Sequence, residues 1–301
     1  MSERLTVSVD LGKSRCRVRI TGNESSAERA GTGAPGLAAS GGVQAAASAI
    51  MSLLEVEDLR SAGVEVVSVG AAGAWLAPQA GQELANHLAG ALGSRAVVTS
   101  DVVTAHAGAL DGAPGALLIA GTGAAALGIE TGGARLIDGW GPELGDFGSG
   151  SWLGREALRA LLRTVENGTT TTLTEALADA VGSAADVQGW LAQEGPLPRR
   201  LATLAPFVLN AAALGDRVAR DIALEAVRLL TTSATASSPQ TREVALHGGL
   251  TDHVWFRGEL ISALHTAGRD VVPSAGDALD GALLIAHRTD LPHERFVHRA
   301  G

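Results

Sequence analysis

The alternation of apolar and polar residues predicts strands and helices in two successive halves, each beginning with a strand hairpin. Predicted strands are Leu5–Val9, Cys16–Ile20, Val64–Val69, Ala96–Thr99, Ala116–Ala120, Ala124–Ile129, Arg135–Ile137, Glu243–Leu246 and Asp270–Val272. Predicted helices are near 42–54, 79–92, 102–110, 151–165, 172–181, 184–192, 217–230, 252–266 and 275–287, with a short one from Pro206. We expect an α/β fold with domains at residues 1–112 and 113–301, the last helix being free to pack on the first domain. The polar tail 289–301 is expected to be peripheral.

Composition narrows the classes of partner. The 301 residues are 46% hydrophobic and 18% charged, with a net charge of −9 spread over interspersed acids and bases. This balance argues against nucleic acid or an anionic membrane as the main partner. The single cysteine, Cys16, excludes an internal disulfide and fits a reducing compartment. The amino-terminal sequence has no apolar signal-peptide core, so we expect a cytoplasmic protein.

The first predicted hairpin carries an acid beside a glycine turn. Asp10 follows the first strand, and Gly12, Lys13 and Ser14 make the turn. Such a turn suits a metal–phosphate group because glycine lets backbone N–H groups face an anion and the serine offers a hydroxyl. A hairpin with an aspartate in its turn is also a common structural feature, and Lys13 can equally point to solvent.

A second acid, Asp101, stands between a predicted strand and a predicted helix. Acids at the carboxyl ends of strands in α/β sheets commonly face ligands. Asp101 equally fits the N-cap of the helix Val102–Leu110, and the residues alone do not separate these two interpretations. His106 on the same helix is given no role.

Two further glycine turns lie in the second half. Gly121, Thr122 and Gly123 connect two predicted strands and make a plausible phosphate cradle, although the motif is unspecific. Gly248 and Gly249 stand at a strand-to-helix turn, where bare backbone would let a flat ring approach. An ordinary tight turn explains this second pair equally well.

The stretch Asp138–Trp152 is rich in glycine, with five in the twelve residues from Gly139 to Gly150, and it also carries Trp140, Glu143 and Asp146. An amphipathic helix follows it, with Ser149 or Ser151 as the expected N-cap. Because helix N-termini favour anions, we expect this end of the helix to contribute to a ligand site. The alternative is a glycine-rich surface loop that caps a helix.

This stretch resembles the GWG-x-x-LGDEGS signature of the N-acetylglucosamine kinase and BadF/BadG-type ATPase family. The matching residues are Gly139-Trp140-Gly141, Leu144-Gly145-Asp146 and Gly148-Ser149. The segments around Asp10, Asp101 and Thr122 resemble the family's first phosphate motif, its catalytic segment and its second phosphate motif, in the same order. The chain departs from the pattern at Phe147, where glutamate is usual. In the glycine- and alanine-rich loop before the helix near 42–54, the asparagine with which the family binds sugar is absent or is replaced by Ser40.

The resemblance implies two ribonuclease-H-like, actin-like ATPase domains with an interdomain cleft. It implies a kinase that uses ATP and Mg²⁺ to phosphorylate a hydroxyl of a small-molecule amino sugar, such as N-acetylglucosamine, glucosamine or N-acetylmuramic acid; a homodimer is compatible with it. The implied catalytic base is Asp101, and the implied metal-binding residue is Asp10. The implied phosphate-binding residues are Asp10, Gly12, Lys13, Ser14, Gly121, Thr122 and Gly123. Gly248 and Gly249 would bind adenosine, and Trp140, Gly145 and Asp146 would bind sugar.

Two other functions fit the same fold. One is a non-catalytic regulator that binds a nucleotide or a sugar, against which Asp101 argues. The other is a dehydratase-activating ATPase, whose relatives hold an iron–sulfur cluster through cysteines at a dimer interface. A lone Cys16 in a strand makes that second alternative the weaker one.

Overall fold

Strands and helices alternate in the residues that this computed structural model describes, which are 5–22, 25–54, 63–168 and 170–301. The strands are β1 (Leu5–Leu11), β2 (Arg15–Thr21), β3 (Ser26–Thr32), β4 (Val64–Ala71), β5 (Arg95–Ser100), β6 (Gly115–Ala120), β7 (Ala124–Glu130), β8 (Gly133–Asp138), β9 (Glu243–His247), β10 (Asp270–Val272) and β11 (His298–Ala300). The helices are α1 (Gly42–Met51), α2 (Pro78–Leu92), α3 (Asp101–Ala109), α4 (Gly150–Asn167), α5 (Thr172–Val181), α6 (Val187–Leu191), α7 (Leu197–Ala202), α8 (Ala205–Ala213), α9 (Arg217–Ser237), α10 (Val254–Thr266) and α11 (Ala278–His287). Short 3₁₀ helices lie at Ala184–Asp186, Gly249–Asp252 and Pro292–Phe296.

The first unit comprises Met1–Pro114 and Pro273–Gly301 and is built on a six-stranded sheet in the order β11-β5-β4-β1-β2-β3. Strands β1, β4 and β5 are parallel, and β2, β3 and β11 run antiparallel to their neighbours. Valines fill the centre of this sheet because β-branched side chains pack well on a pleated surface. Val9, Val69 and Val98 are fully buried there.

The second unit spans Gly115–Val272 and contains a five-stranded sheet in the order β10-β9-β6-β7-β8. Strands β6, β7 and β8 form an antiparallel meander, and β9 and β10 continue the sheet in parallel from β6. Its core contains Leu118 of β6, Leu153 of α4 and Phe256 of α10, all fully buried. From the sequence we place the division near residue 112; the two units divide between Pro114 and Gly115.

The last helix, α11, packs against α3 in the first unit. A Cβ atom on Gly108 would lie 1.9 Å from the carbonyl oxygen of Asp277, and one on Gly281 would lie 1.9 Å from that of Thr104. Glycine at both positions therefore lets the two helix backbones approach closely. The capping box of Asp277 and Asp280 fixes the start of α11 three residues later than the apolar pattern predicts.

The carboxyl-terminal tail is not peripheral, and that expectation is wrong. Strand β11 pairs with β5 through His298 and Val98, and the ring of His293 is fully buried. One ring nitrogen of His293 lies 2.9 Å from a ring nitrogen of His106. The polar appearance of the tail is misleading because its buried residues, Leu291 and His293, are too few to give a periodic apolar pattern.

Strand β3 was missed for a related reason. Its sequence, SAERAGT, is mostly polar and small, and it lies at the edge of the sheet, where it pairs with β2. An edge strand needs little apolar surface, so its sequence carries a weak periodic signal. The predicted helix 184–192 is divided into a 3₁₀ turn at Ala184–Asp186 and α6.

Candidate active site

In the first unit, Asp10 and Asp101 lie at the same edge of the sheet. Asp10 pairs with Gly70 of β4, and Gly70 pairs with Thr99 of β5, two residues before Asp101. The three strands are parallel, so their carboxyl ends meet at one edge. The structure therefore brings together the metal-binding acid and the base that the sequence predicts.

The carboxylate of Asp10 is clamped by an arginine that the sequence analysis did not single out. Arg17 Nη2 and Nε donate to Asp10 Oδ2 over 2.9 and 3.1 Å, and Arg17 Nη1 donates to Asp277 Oδ2 over 2.6 Å. Both bonds to Asp10 end on the same oxygen, and within the described part of the chain no hydrogen bond to Oδ1 is made, which leaves that oxygen for a cation. The signal was present as arginines at alternate positions of β2, which place their charges on one face.

Asp101 is the first residue of α3 rather than its N-cap, which is Ser100. Its Oδ1 accepts hydrogen bonds from the Ser100 hydroxyl at 3.0 Å and from the Val102 N–H at 2.9 Å. Burial raises the pKa of Asp101, and the nearby Asp10 carboxylate raises it further. The two hydrogen bonds and the Lys13 charge act in the opposite direction without cancelling the rise.

The turn Gly12–Ser14 is closed by the Gly12 N–H, which donates to the Arg15 carbonyl over 2.9 Å. Lys13 and Ser14 are exposed at its tip. The Lys13 charge is close enough to lower the pKa of Asp101. This turn, Asp10 and Asp101 therefore belong to one charged site in the first unit.

In the second unit, the turn Gly121–Gly123 is docked on the start of α4. The N–H groups of Gly150 and Ser151 donate to the carbonyls of Gly121 and Thr122 over 2.8 and 3.1 Å. The Ser149 hydroxyl accepts from the Trp152 N–H at 3.1 Å, which confirms the serine cap. These N–H groups of the helix end thus have protein acceptors, while Gly150 also lines a cavity of this unit, so a contribution of the helix end to a ligand site stays a prediction.

Gly121, Thr122 and Gly249 line one cavity of about 310 Å³ in this unit, so one residue of the predicted adenosine pair and two of the predicted phosphate turn meet there. Gly248 has a φ of 106°, and a Cβ atom there would lie 2.6 Å from the Ala120 carbonyl oxygen. Pro206 and Leu209 of α8 and His253 complete its wall, and the sequence analysis missed all three. The sequence spacing of these residues does not indicate that they line a cavity, because the sequence of α8 is typical of an ordinary packing helix.

The glycine-rich loop after β8 is braced by Asp138, which the sequence analysis did not assign to the site. Asp138 Oδ1 accepts from the N–H groups of Gly139 at 2.8 Å and Asp146 at 2.7 Å, and Oδ2 accepts from Phe147 at 2.7 Å. A Cβ atom on Gly145 would lie 2.3 Å from Asp138 Oδ1. Gly145 therefore has a packing role in the loop, whatever else it contacts.

Asp146 connects this loop to the turn at Gly121–Gly123. Its Oδ1 accepts from the Ala124 N–H at 3.2 Å, and a Cβ atom on Gly123 would lie 2.9 Å from either carboxylate oxygen. Trp140 and Phe147 are 67% and 45% exposed on the same loop. Loop and turn thus form one rigid assembly that presents an aromatic ring and a carboxylate.

The residues present fit Mg²⁺ better than an iron–sulfur cluster. Within the described residues, no three or more histidine, cysteine or acidic side chains gather into a metal cage. Magnesium held by one carboxylate and by phosphate oxygens needs no such cage. Burial raises the pKa of the Cys16 thiol to about 11, with a smaller contribution from Asp10, whereas a cluster needs thiolates. None of the described helices has the length and apolar character required to cross a bilayer.

Two proteins that are similar in sequence are both named as kinases of N-acetylglucosamine. An N-acetylmuramic acid/N-acetylglucosamine kinase of Clostridium acetobutylicum is 30% identical over 168 residues, which are 52% of this chain and 55% of that protein. An N-acetyl-D-glucosamine kinase of Dictyostelium discoideum is 33% identical over 129 residues, or 38% of each protein. The aligned part thus spans about half of the first relative and less of the second.

A solved structure from Chromobacterium violaceum, provisionally named an N-acetylglucosamine kinase, is similar over 94% of this chain and 99% of its own, with 29% identity and a TM-score of 0.75. The likeness confirms the α/β fold of actin-like ATPase type. Residues 7–286 match the model of the BadF/BadG/BcrA/BcrD ATPase family. With nearly the whole chain matched, the protein belongs to the BadF/BadG/BcrA/BcrD ATPase family.

Proposed function

We propose that the protein is an ATP-dependent kinase that phosphorylates a hydroxyl of an amino sugar, namely N-acetylglucosamine or a close relative such as glucosamine or N-acetylmuramic acid. The observation that carries the proposal is Asp101, a carboxylate of raised pKa at the sheet edge that also holds Asp10. A base and an acid able to bind a metal ion, at one edge, are two of the charged groups that phosphoryl transfer to an alcohol uses. The names of the relatives support the choice of an amino sugar.

ATP and Mg²⁺ would supply the phosphoryl group and neutralise its charge. In the first unit, Asp10 would hold the magnesium ion through Oδ1 or a water, and the turn of Gly12, Lys13 and Ser14 would bind phosphate. In the second unit, the turn of Gly121, Thr122 and Gly123 would bind phosphate, and Gly248 and Gly249 would bind adenosine. The cavity that Gly121, Thr122 and Gly249 line supports this assignment.

Asp101 would act as the general base on the acceptor hydroxyl. Its raised pKa makes it a better proton acceptor than an exposed aspartate, and the Ser100 and Val102 bonds fix the carboxylate. Such a positioned base contributes typically about 10²–10⁴-fold to the rate. The proton moves from the sugar oxygen to Asp101 while that oxygen bonds to phosphorus and ADP leaves.

Trp140, Gly145 and Asp146 would form the sugar-binding loop. Trp140 offers an exposed ring for the apolar face of a sugar, and Asp146 offers acceptor oxygens for its hydroxyls. Gly145 would contribute through its backbone, since the Asp138 carboxylate leaves no room for a side chain at this position. Because Asp146 also bonds to Ala124, sugar binding and the position of the phosphate turn would be coupled.

The test is a coupled ADP-release screen over N-acetylglucosamine, glucosamine, N-acetylmuramic acid, N-acetylmannosamine and glucose. We expect an amino sugar to be turned over, and the Asp101→Asn variant to lose that turnover. ADP release at the same rate without sugar would instead indicate an ATPase. Binding of sugar or nucleotide with no turnover would indicate a non-catalytic regulator. We also propose that the protein forms a homodimer, which size-exclusion chromatography of the same sample tests. We propose that the protein acts in the cytoplasm.

A further inference from the structure

A second cavity, of about 320 Å³, lies in the first unit beside the proposed base. Trp75, Thr99, Ser100, Arg295, Phe296 and His298 line it. Its volume is at the lower end of the range for small-molecule sites. None of the site residues expected from the sequence lines it, and three of its eight lining residues come from the carboxyl-terminal segment.

The walls of this cavity are fixed by contacts between β5 and the carboxyl-terminal segment. The Thr99 hydroxyl donates to the Phe296 carbonyl over 2.7 Å. The Phe296 ring stacks on Trp75, with 5.1 Å between the centroids and 27° between the planes. The cavity therefore has a preformed aromatic wall, which favours binding because little side-chain freedom is lost.

Arg295 supplies a cation at this cavity. Its guanidinium carbon lies 5.8 Å from the centre of the Phe296 ring, and the side chain is exposed. Among the described residues, no carboxylate pairs with Arg295, whereas Arg288 pairs with Asp290 and Arg299 pairs with Glu294. Burial lowers the pKa of His298, which disfavours a positive charge on this neighbour. In a chain of net charge −9, an unpaired guanidinium over an aromatic ring is a binding group for an anion.

The cavity is connected to the proposed base through Ser100. Ser100 lines the cavity, and its hydroxyl donates to Asp101 Oδ1 over 3.0 Å. A substituent on the acceptor sugar, close to the hydroxyl at Asp101, could therefore extend towards Arg295. A planar carboxylate is the anion that matches the two-pronged donor geometry of arginine.

We propose that this cavity binds a carboxylate-bearing substituent of the amino sugar, with Arg295 as its counter-ion. The inference rests on the proposed kinase function and narrows its substrate to amino sugars that carry an acid, such as those with an ether-linked lactate. An uncharged amino sugar would leave the cavity and its arginine unused.

The test compares three sugars by calorimetry: N-acetylmuramic acid, its neutral carboxamide and N-acetylglucosamine. We expect the acid to bind about tenfold more tightly than the carboxamide, since a hydrogen bond to a charged partner contributes about that much. The preference should fall with added salt because the ion pair is near solvent. Arg295→Gln should bring the ratio of acid to carboxamide near one, and Arg295→Lys should keep part of it.

The matched control is Arg288→Gln, which removes the same charge from the same segment outside the cavity and should leave the ratio unchanged. Equal binding of the acid and the carboxamide, or a preference that survives in Arg295→Gln, overturns the inference. Turnover of any of the three sugars, measured as ADP release, reports on the kinase function separately. Turnover without a preference for the acid supports the kinase function and contradicts the acid site. A preference that depends on Arg295 without turnover supports the acid site and contradicts the kinase function. Binding of none of the three sugars removes both.

Discussion

The backbone N–H of Asp146 donates to Asp138 Oδ1 over 2.7 Å, so one aspartate of the glycine-rich loop holds the other in place. Both have left-handed backbone conformations, with φ of 56° and 64°. Such conformations cost energy for a residue with a side chain and persist where the surroundings enforce them. The three hydrogen bonds from backbone N–H groups to the Asp138 carboxylate hold the loop in these conformations.

We therefore expect Asp138→Asn to loosen the loop. Asparagine tolerates a left-handed backbone and keeps one oxygen, but it loses the acceptor for the Phe147 N–H. The free energy of unfolding should fall by about 1.5–3 kcal/mol, and sugar affinity should fall with it. Asp111→Asn is the matched control, because Asp111 is exposed and has a φ of 50°. Denaturant titration of both variants checks this; equal losses would mean that the bracing bonds contribute nothing specific.

Most of the fold could be predicted because its strands have strong apolar patterns. Central strands such as β1 and β4 are buried on both faces, so their sequences are rich in valine. The carboxyl-terminal segment could not be predicted, because the burial of His293 depends on His106, which lies 187 positions away in the chain. Single-sequence patterns describe local periodicity and carry no information about such a partner.

The candidate site was predictable where it consists of acids and glycines at strand ends. Asp10, Asp101 and the two turns of the second unit lie as expected at the ends of their strands. The residues that orient them, Arg17 and Asp138, were not predictable as site residues. An arginine in a strand of alternating polar and apolar residues, or an aspartate at a strand end, is common in proteins without belonging to a site. Only the hydrogen-bond partners of such a residue show what it does.

The glycine at position 249 offers a direct test of the nucleotide cavity. Its φ is not positive, and a Cβ atom there would meet no described atom within 4 Å, so neither backbone strain nor packing requires glycine. Gly249→Ala should fold normally and weaken binding of an ATP analogue, because the methyl group would enter the space for the ligand. Gly258→Ala in α10 is the control, with equally open surroundings away from the cavity. Unchanged nucleotide affinity in Gly249→Ala would show that the cavity is not the adenosine site.

Gly123→Val should also abolish nucleotide binding, but for a reason inside the protein. A Cβ atom at 123 would lie 2.9 Å from the Asp146 carboxylate, so a valine would displace the turn and the loop together. We expect a lower melting temperature along with lost affinity for an ATP analogue. Retained affinity in calorimetry would remove this turn from the phosphate site.

Phe147 should make the sugar preference differ from that of relatives with glutamate. Phenylalanine neither accepts hydrogen bonds nor carries charge, and 45% of its surface is exposed beside Asp146. We expect Phe147→Glu to change the ranking of substrates in the ADP-release screen, away from sugars with apolar or bulky substituents. An unchanged ranking would show that residue 147 does not set specificity.

Asp146 should affect sugar binding more than the chemical step. Asp146→Asn keeps an oxygen for the Ala124 N–H and tolerates the left-handed backbone, so stability should change little. Loss of the charge should raise the KM for sugar by about 10–100-fold, corresponding to about 1.5–3 kcal/mol for a charged hydrogen bond, with little change in kcat. Asp146→Ala removes the Ala124 bond as well, and it should lower the melting temperature in addition. If Asp146→Asn leaves the KM unchanged while Asp146→Ala unfolds early, Asp146 only braces the turn.

Asp101 should behave in the opposite way, because its pKa is raised in the folded protein. Asp101→Asn keeps the shape and the Oδ1 acceptor but removes the basic oxygen, so kcat should fall by about 10²–10⁴-fold while sugar still binds.

A raised pKa means that the folded state binds the proton of Asp101 more tightly than the unfolded state. The stability of the wild type relative to Asp101→Asn should then be undiminished below the ordinary aspartate pKa of about 3.9, decline as pH rises through the raised pKa, and stay lower above it. Thermal melts of both proteins from pH 3.5 to 8 and steady-state kinetics at pH 7 check the two halves of this prediction. A variant that is inactive and more stable than the wild type at neutral pH identifies Asp101 as a base held at a cost to the fold, whereas near wild-type kcat would overturn the mechanism.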